Sequence, residues 1–419
     1  QPSTPYEALN TIVSDIIYGG RVTDAQDVRL TRAVLSLYLR PAAVDDAAYS
    51  YCPQLDDRFR YAPPAEGPID DYRAYIGTFP LVDRPELFGL HQNADISFQQ
   101  KETTTMLDQI IALQPRTGGS GAGKSPDDVV GETCDDLLAR LPPALDLAKA
   151  VPATFAELDD GSVNPLGIFL THETAKFNRL IARAGAMLRE MQRALKGLVV
   201  MSAELDAAHA NLLCQQVPKA WGEAGSGSPS LKPLASWYKD LLERIAFMRS
   251  WIETGPPASF WVSAFFFPQG FFTSALQEHA RLHQLPIDML RFDAEVMPYA
   301  DLTETIAPPP SGTYIHGMFM EGARFEAAAG GGSGGAMAES LPGELFAPVN
   351  VVWLKPGDIH GARPKGWYEC PFYKTNVRAG TLSTTGHSTN HVCNFLLPSE
   401  TDPAHWIRRG AALISMTND

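Results

Sequence analysis

The stretch TYIHGMFMEGARFE, at residues 313–326, divides the sequence into two parts with different hydrophobic patterns. The stretch itself is typical of strand, turn and strand, because Gly317 and Gly322 interrupt apolar runs that are too short for a packed helix. Apolar residues before it recur at helical spacing, whereas those after it stand in short runs broken by glycine and proline. The sequence therefore predicts an α+β fold, with an α half followed by a β half.

Residues 1–145 predict a small, mostly helical module, and their number suits a domain. Asp24 or Asp27 can cap a helix, whereas residues 41–85 are rich in Pro, Asp and Tyr and predict mainly loop. The first helix has one apolar face that is expected to meet a core, made of Tyr6, Leu9, Ile12, Val13, Ile16 and Ile17. Helices are predicted at residues 6–18, 24–40, 104–113 and 127–141.

Residues 146–288 predict a helical half with a large core. Apolar residues at 166–198 repeat at spacings of three and four, and either Asn164 or Thr171 can begin that helix. Stripes of Met and aromatic residues at this spacing indicate helix–helix packing rather than a ligand site. Further helices are predicted at residues 234–251 and 271–283.

Residues 289–419 predict a small antiparallel β-barrel, because short strands alternate with turn residues. The segment AAAGGGSGGAMA, at residues 327–338, is of low complexity and is expected to be flexible. Strands are predicted at residues 290–296, 314–320, 349–354, 367–373, 391–397 and 411–416.

Composition excludes several functional classes. A net charge of −14 argues against nucleic acid as the main partner, and the densest apolar run, residues 260–267, is too short to span a membrane. Five scattered cysteines without a C-x-x-C pair suit free thiols in a reducing compartment. The sequence begins Gln-Pro-Ser without an apolar leader, so we expect no secretory signal and excision from a longer protein.

A literal phosphate-loop pattern, G-x-x-x-x-G-K-S, runs from Gly118 through Gly123 and Lys124 to Ser125. In a working loop, backbone N–H groups hold phosphates, the lysine reaches the β and γ oxygens, and the serine holds Mg²⁺. The context differs here, because a helical stretch precedes the loop and Pro126 disfavours helical backbone at the serine. A flexible linker is the favoured interpretation, and an independent nucleotide-binding module is the alternative.

A second alternative is a barrel that binds a ligand or a metal. His387, His391 and Cys393 share strand parity, and Cys370 and His360 lie nearby in the sequence, which is a set that zinc accepts. The surrounding stretch has the composition of a turn followed by a strand, and no acidic second shell is visible. Packing or hydrogen bonding is therefore the favoured role, and no metal site is predicted.

Several stretches resemble signatures near the end of dynein heavy chains, and they occur in that family's order over nearly the whole sequence. Gln92 and Phe325 depart from the family pattern, which usually has Pro and Trp there, and the glycine-rich segment is unusual. The stretches are YGGRVTD at 18–24, FGLHQNADI at 88–96, LQPR at 113–116, FFFPQGFFT at 265–273, YIHGMFMEGARF at 314–325 and YKTNVRAGTLSTTGHSTN at 373–390.

The resemblance implies the end of the sixth AAA+ module followed by the C-terminal domain of an axonemal, inner-arm-like heavy chain. Residues 1–145 would then contain the helical small subdomain, residues 146–288 the helical half of the C-terminal domain, and residues 289–419 its β-barrel half. It also implies a segment that is not itself an enzyme and holds no cofactor. ATP and Mg²⁺ would act in other modules of a minus-end-directed microtubule motor.

The partners implied by the same resemblance are mainly parts of one heavy chain. They are the other AAA+ modules and the linker, with light and intermediate chains as further candidates. Microtubules would be contacted through other parts of the motor, with neither nucleic acid nor membrane as a partner. The implied location is the axoneme of a cilium or flagellum, within the cytoskeleton.

Overall fold

A computed structural model describes most of the protein. No helix within the described part is long and apolar enough to cross a membrane. The described residues are 4–46, 49–52, 64–113, 124–158, 161–225, 232–298, 307–327, 335–361, 367–376, 378 and 390–416.

The N-terminal part is helical, as predicted. Asp24 caps helix α2, since its carboxylate accepts a hydrogen bond from the Gln26 backbone N–H at 2.8 Å. Residues 41–85 were expected to be mainly loop, but short helices occur on both sides of the undescribed residues 53–63. The helices are α1 (Tyr6–Thr11), α2 (Ala25–Tyr38), α3 (Ala42–Asp45), α4 (Ile69–Ile76), α5 (Asn93–Leu113) and α6 (Pro126–Arg140).

The apolar face predicted for the first helix does not meet a core. Helix α1 continues as a π-helical turn over Ile12–Ile17, and Ile16 and Ile17 are 72% and 65% exposed. Helix α5 is similar, because Met106, Leu107 and Ile110 are also exposed. The sequence pattern correctly marks an apolar face on α1, but the described part of the protein covers it only at Tyr6, Leu9 and Val13, which are half-buried.

The helical half is built around one long helix. Asn164 caps this helix, α7, by accepting a hydrogen bond from the Leu166 backbone N–H at 2.8 Å, which selects the first of the two predicted starts. The long helices predicted at residues 166–198 and 234–251 are confirmed, whereas α8 and α9 were not predicted. The helices are α7 (Pro165–Leu195), α8 (Ala203–Leu213), α9 (Lys219–Gly225), α10 (Leu234–Thr254) and α11 (Pro268–Leu282).

The β half forms a mixed, open sheet, not the small antiparallel barrel predicted. Neighbouring strands follow the order β1-β3-β8-β2-β10-β9-β11-β4-β7, and β5 pairs with β6 in a separate hairpin. The strands are β1 (Ser259–Trp261), β2 (Leu290–Val296), β3 (Thr313–His316), β4 (Phe319–Glu321), β5 (Arg324–Ala327), β6 (Gly335–Ala338), β7 (Phe346–Pro348), β8 (Val352–Asp358), β9 (Tyr368–Thr375), β10 (His391–Leu397) and β11 (Ala412–Met416).

The error in the barrel prediction has two sources. Three pairings are parallel, namely β1 with β3, β2 with β10, and β9 with β11. Strand β1 comes from the helical half, and helix α12 (Pro403–Arg409) precedes β11 and was not predicted. Whether two strands pair in parallel depends on the path of the chain between them. The alternation of apolar residues within a strand does not reveal that path.

The stretch at residues 313–326 has the predicted strand–turn–strand form. Gly317 separates β3 from β4, and Gly322 separates β4 from β5, with φ angles of +81° and +75°. A side chain at Gly317 would collide with the Trp261 ring, and one at Gly322 would collide with the backbone oxygen of Arg409. Both turns therefore need glycine for backbone angle and for space.

The described end of the glycine-rich segment at residues 327–338 forms a strand, contrary to the expectation of a flexible segment. Its last residues, Gly335–Ala338, form strand β6 and pair with Arg324–Ala327. Residues 328–334 lie outside the described residues. Pairing with β5 explains the order at this end, because main-chain hydrogen bonding does not require side chains of high strand propensity.

Candidate functional site: contacts between the N-terminal helices, the helical half and the sheet

Two of the four phosphate-loop residues lie within the described residues, and both have partners. The Ser125 hydroxyl accepts a hydrogen bond from the Asp128 backbone N–H at 3.1 Å, and the Asp128 carboxylate accepts from the Ser125 N–H at 3.2 Å. These bonds form the N-terminal capping box of helix α6. Lys124 pairs with the exposed Glu132 carboxylate. Gly118 and Gly123 lie outside the described residues.

A substitution at this cap distinguishes the two interpretations. Ser125→Ala is expected to lower the free energy of unfolding by about 1 kcal/mol, because the N-cap acceptor is lost. Lys124→Ala removes only an exposed ion pair, so a change below about 0.5 kcal/mol is expected in urea unfolding. Calorimetry with Mg·ATP should give no binding heat for either variant or for the unmodified protein. Saturable binding that Lys124→Ala abolishes would contradict the capping interpretation.

The two cysteines among the metal candidates lie on adjacent strands. Cys370 is on β9 and Cys393 on β10, and both strands pack into the core. Burial raises the pKa of the Cys370 thiol to about 12 and also raises the pKa of Cys393. A metal binds the thiolate, so these environments favour packing over ligation.

The histidines among the metal candidates are apart or differently engaged. His391 Nε2 lies 2.9 Å from the Asn394 side-chain oxygen, and His360 is exposed after strand β8. His387 lies outside the described residues. Within the described part, no group of three or more His, Cys, Asp or Glu side chains is placed to hold a metal.

The stretch FGLHQNADI attaches the N-terminal helices to the loop before β7. The Asn93 amide nitrogen donates to the backbone oxygens of Leu341 and Glu344, both at 2.9 Å, and its oxygen accepts from the Gly343 N–H at 2.8 Å. Asn93 is buried, so these partners replace water. Nothing in the periodicity of the sequence marks this residue, which occurs where helix α5 begins.

Asn93→Ala is expected to detach this loop. The substitution removes three hydrogen bonds, to the Gly343 N–H and to the Leu341 and Glu344 carbonyl groups, each of which contributes about 0.5–1.5 kcal/mol. Hydrogen exchange at residues 341–344 should become faster, while the core of helix α7 stays protected. Gln92→Ala, at the exposed neighbouring position, is the matched control and should leave exchange unchanged. Equal exchange in both variants would show that Asn93 does not hold the loop.

A second contact joins the same two parts through arginines. Arg409, at the end of α12, donates to the Gly89 backbone oxygen at 3.0 Å. Arg29 on α2 donates to the Glu369 backbone oxygen at 2.8 Å. In each contact one guanidinium N–H donates to a main-chain oxygen, so the pair aligns the N-terminal helices with the sheet without requiring an apolar interface.

A cleft of about 360 Å³ lies between α2 and the sheet. Arg378 lines it and pairs with Glu321 at the end of β4, while its guanidinium lies 5.5 Å from the Tyr373 ring centre. Burial and the neighbouring Asp24 carboxylate raise the pKa of Asp27 in the same cleft. The interface between these parts thus contains charged as well as apolar side chains and is incompletely filled, which suits a contact that can shift.

The stretch FFFPQGFFT attaches the helical half to the sheet around a buried group of charges. The Phe266 N–H donates to the Glu173 carboxylate at 2.7 Å, and Lys374 on β9 donates to the Phe266 oxygen at 3.0 Å. Arg244 on α10 donates to the Ala264 oxygen at 2.8 Å and lies over the Phe266 ring. We call Glu173, Lys176, Arg244 and Lys374 the Glu173 cluster.

The sequence reasoning missed Glu173 and Arg244. Both occur on helices whose apolar stripes were recognised, and both are buried within those helices. Arg244 stands between Leu241 and Ile245, so its place inside a stripe is the signal that could have identified it. A charged residue that interrupts an apolar face needs partners. Here Arg244 donates to the Ala264 backbone oxygen and lies 3.8 Å from Asp240 on its own helix.

Comparison with known families agrees with this arrangement. The family of C-terminal domains of the dynein heavy chain matches residues 100–415, and the family described as "Dynein heavy chain AAA lid domain" matches residues 1–94. The boundary between the two matches falls in helix α5, immediately after the Asn93 contact.

Individual relatives are similar over almost the whole length of this protein. Dynein axonemal heavy chain 6 of Homo sapiens is 38% identical over 99% of this chain, which covers 10% of that relative. Dynein axonemal heavy chain 1 of Mus musculus is 41% identical over 98% of this chain, which covers 9% of it. The protein thus spans about a tenth of the length of these relatives. The first family match extends over most of its residues, and the protein belongs to the family of dynein C-terminal domains.

Proposed function

We propose that this protein is the non-catalytic C-terminal part of a dynein motor heavy chain and that it braces and regulates an AAA+ ring. The observation that carries the proposal is where the stretches that resemble dynein heavy chains lie in the structure. Two of them form contacts between parts of the protein: Asn93 joins the N-terminal helices to the loop before β7, and Phe266 joins the helical half to the sheet. A third supplies Glu321, which pairs with Arg378 within the β half, beside the cleft against α2. Residues that maintain the relative placement of parts suit a mechanical element better than a substrate site.

In this proposal the three parts keep the predicted bounds. Residues 1–145 contain the small subdomain of the sixth AAA+ module, residues 146–288 the helical half of the C-terminal domain, and residues 289–419 its β half. The motor would hydrolyse ATP with Mg²⁺ in its other modules and move towards microtubule minus ends. The segment itself would bind neither, and Gly118, Gly123, Lys124 and Ser125 would form a linker and a helix cap.

The exposed apolar faces of the N-terminal helices support a partner within the same heavy chain. Ile16, Ile17, Met106, Leu107 and Ile110 are exposed, although each belongs to a regular apolar pattern. Apolar surface of this kind marks an interface that is covered in the complete protein. The relatives are about ten times longer than this protein, so we propose other AAA+ modules and the linker as the covering elements.

The remaining partners follow from the axonemal relatives. Light and intermediate chains are proposed as further contacts, and microtubules would be bound by other parts of the motor. The proposed location is the axoneme of a cilium or flagellum, with an inner-arm heavy chain as the parent. Neither nucleic acid nor a membrane is proposed as a partner, in keeping with the net charge of −14.

The test uses the complete heavy chain. Asn93→Ala combined with Arg409→Ala should loosen the attachment of the N-terminal helices to the sheet and leave the ATP sites untouched. Microtubule-stimulated ATPase and gliding velocity are measured together, and the distance moved per ATP is expected to fall. Gln92→Ala is the control and should leave the distance moved per ATP unchanged. Deletion of residues 300–419 should lower that distance the most. Unchanged coupling in both the double variant and the deletion would refute the bracing role.

A further inference from the structure

The Glu173 cluster contains three cations and one carboxylate, of which Glu173 and Arg244 are buried and the two lysines half-buried. Glu173 has no exposed side-chain surface, and Lys176 Nζ lies 3.2 Å from its carboxylate. Arg244 is also buried, and its Nη2 has no hydrogen-bond partner among the described residues. Lys374 adds a third cation from the opposite side, where it holds the Phe266 backbone oxygen.

Lys374 is the member of this cluster whose charge can change most readily. Arginine keeps its proton at any ordinary pH, whereas a lysine can release one when burial opposes its charge. Burial, together with the charges of Arg244 and Lys176, lowers the pKa of Lys374 to about 8, and Glu173 acts in the opposite direction. The neutral amine still has N–H groups, so it can keep its hydrogen bond to Phe266.

We propose that Lys374 makes the attachment of strand β9 to the helical half dependent on proton concentration, with a firmer attachment when the lysine is neutral. Loss of the proton removes one of the three cations of the cluster, which lie near the buried Glu173 carboxylate and, beside Arg244, the half-buried Asp240 carboxylate. The residues that would respond directly are those between α10 and α11, because Ala264 and Phe266 supply the oxygens that Arg244 and Lys374 hold.

Other groups around Lys374 are not expected to give the same dependence of stability on pH. Burial raises the pKa of Tyr373, so this neighbouring phenol stays neutral in the range where Lys374 titrates. Ser415 on β11 bonds the Lys374 backbone oxygen and carries no charge. The charged groups that act on Lys374 are Glu173 and Lys176 on α7 and Arg244 on α10. Asp240, also on α10, lies 3.8 Å from Arg244.

The sign of the effect follows from proton binding in the two states. The unfolded protein holds this proton up to the ordinary lysine pKa of 10.5, whereas the folded protein releases it near 8. Between these values the unfolded state binds more protons, so folding stability increases with pH. Below pH 8 both states hold the proton, and the cost of burying the charge is fully present.

The experiment compares urea unfolding of the 419-residue protein and of Lys374→Met at pH 7 and pH 9. Relative to the variant, the unfolding equilibrium constant of the unmodified protein should fall about tenfold between these values. Lys374→Arg keeps a charge that does not titrate in this range. Between pH 7 and pH 9 its unfolding equilibrium constant should therefore change no more than that of Lys374→Met. Lys239→Met, at an exposed lysine, is the matched control and should keep the full pH dependence.

Hydrogen exchange gives a second measurement that does not depend on either Lys374 variant being stable. In the unmodified protein, after correction for the intrinsic effect of pH, the amides of residues 264–267 and 370–375 should gain protection between pH 7 and pH 9. Equal pH dependence in the unmodified protein and whichever Lys374 variant folds would overturn the proposal. Unchanged protection of residues 264–267 and 370–375 between pH 7 and pH 9 would also overturn it.

Discussion

Glu173→Ala is expected to lower the free energy of unfolding by about 3–5 kcal/mol, because removing one partner leaves buried charge without compensation. The Glu173 carboxylate accepts the Phe266 N–H at 2.7 Å and lies 3.2 Å from Lys176 Nζ. Removing the carboxylate would leave the Phe266 N–H without its acceptor and would also increase the repulsion between Arg244 and Lys374. Urea unfolding followed by circular dichroism measures the change.

Glu173→Gln separates the charge from the hydrogen bond. Glutamine keeps an oxygen for the Phe266 N–H but removes the negative charge, so its loss should be smaller than that of alanine and still clear. Glu204→Ala is the matched control, because Glu204 forms an exposed ion pair with Arg183 and should change stability by less than about 1 kcal/mol. A loss in Glu173→Ala no larger than in this control would show that the cluster is not held by its carboxylate.

Periodicity predicted those elements whose own sequence determines them. The helix that begins after Asn164, the helix that ends before Gly255, and strands β2 and β10 occur where their patterns place them. The two helices bury regular apolar stripes and β2 alternates along the sheet, whereas β10 buries its last three residues together. The resemblance to dynein heavy chains was confirmed by the family match over residues 100–415.

The elements that the sequence did not reveal depend on distant partners. Strand β1 has three residues and becomes a strand only by pairing with β3, which lies more than fifty residues later in the sequence. The apolar face of α1 has a core pattern, but the described residues cover it only in part. In the sequence, Asn93 is marked only as a possible helix cap. Its buried side-chain contacts come from residues 341–344, which are distant in the sequence. Long-range placement, rather than local propensity, decided each of these.

Phe272→Ala is expected to lower the free energy of unfolding by about 3–5 kcal/mol, because it empties a buried site that rigid aromatic neighbours cannot refill. Phe272 is on α11, and its ring centre lies 6.2, 5.8 and 5.3 Å from those of Phe292, Phe372 and Phe395. These three rings belong to strands β2, β9 and β10. The side chain therefore packs the helical half onto the middle of the sheet.

The location of the damage distinguishes this contact from general core loss. Hydrogen exchange on β9 and β10 should become faster in Phe272→Ala, while helices α7 and α10 pack mainly against other residues and should stay protected. Phe98→Ala is the control, because that ring is 61% exposed on α5 and should change stability by less than about 0.5 kcal/mol. If Phe272→Ala loosened the helices and the strands equally, the helical half and the sheet would unfold as one unit. Phe272 would then be a core residue without a special part in joining them.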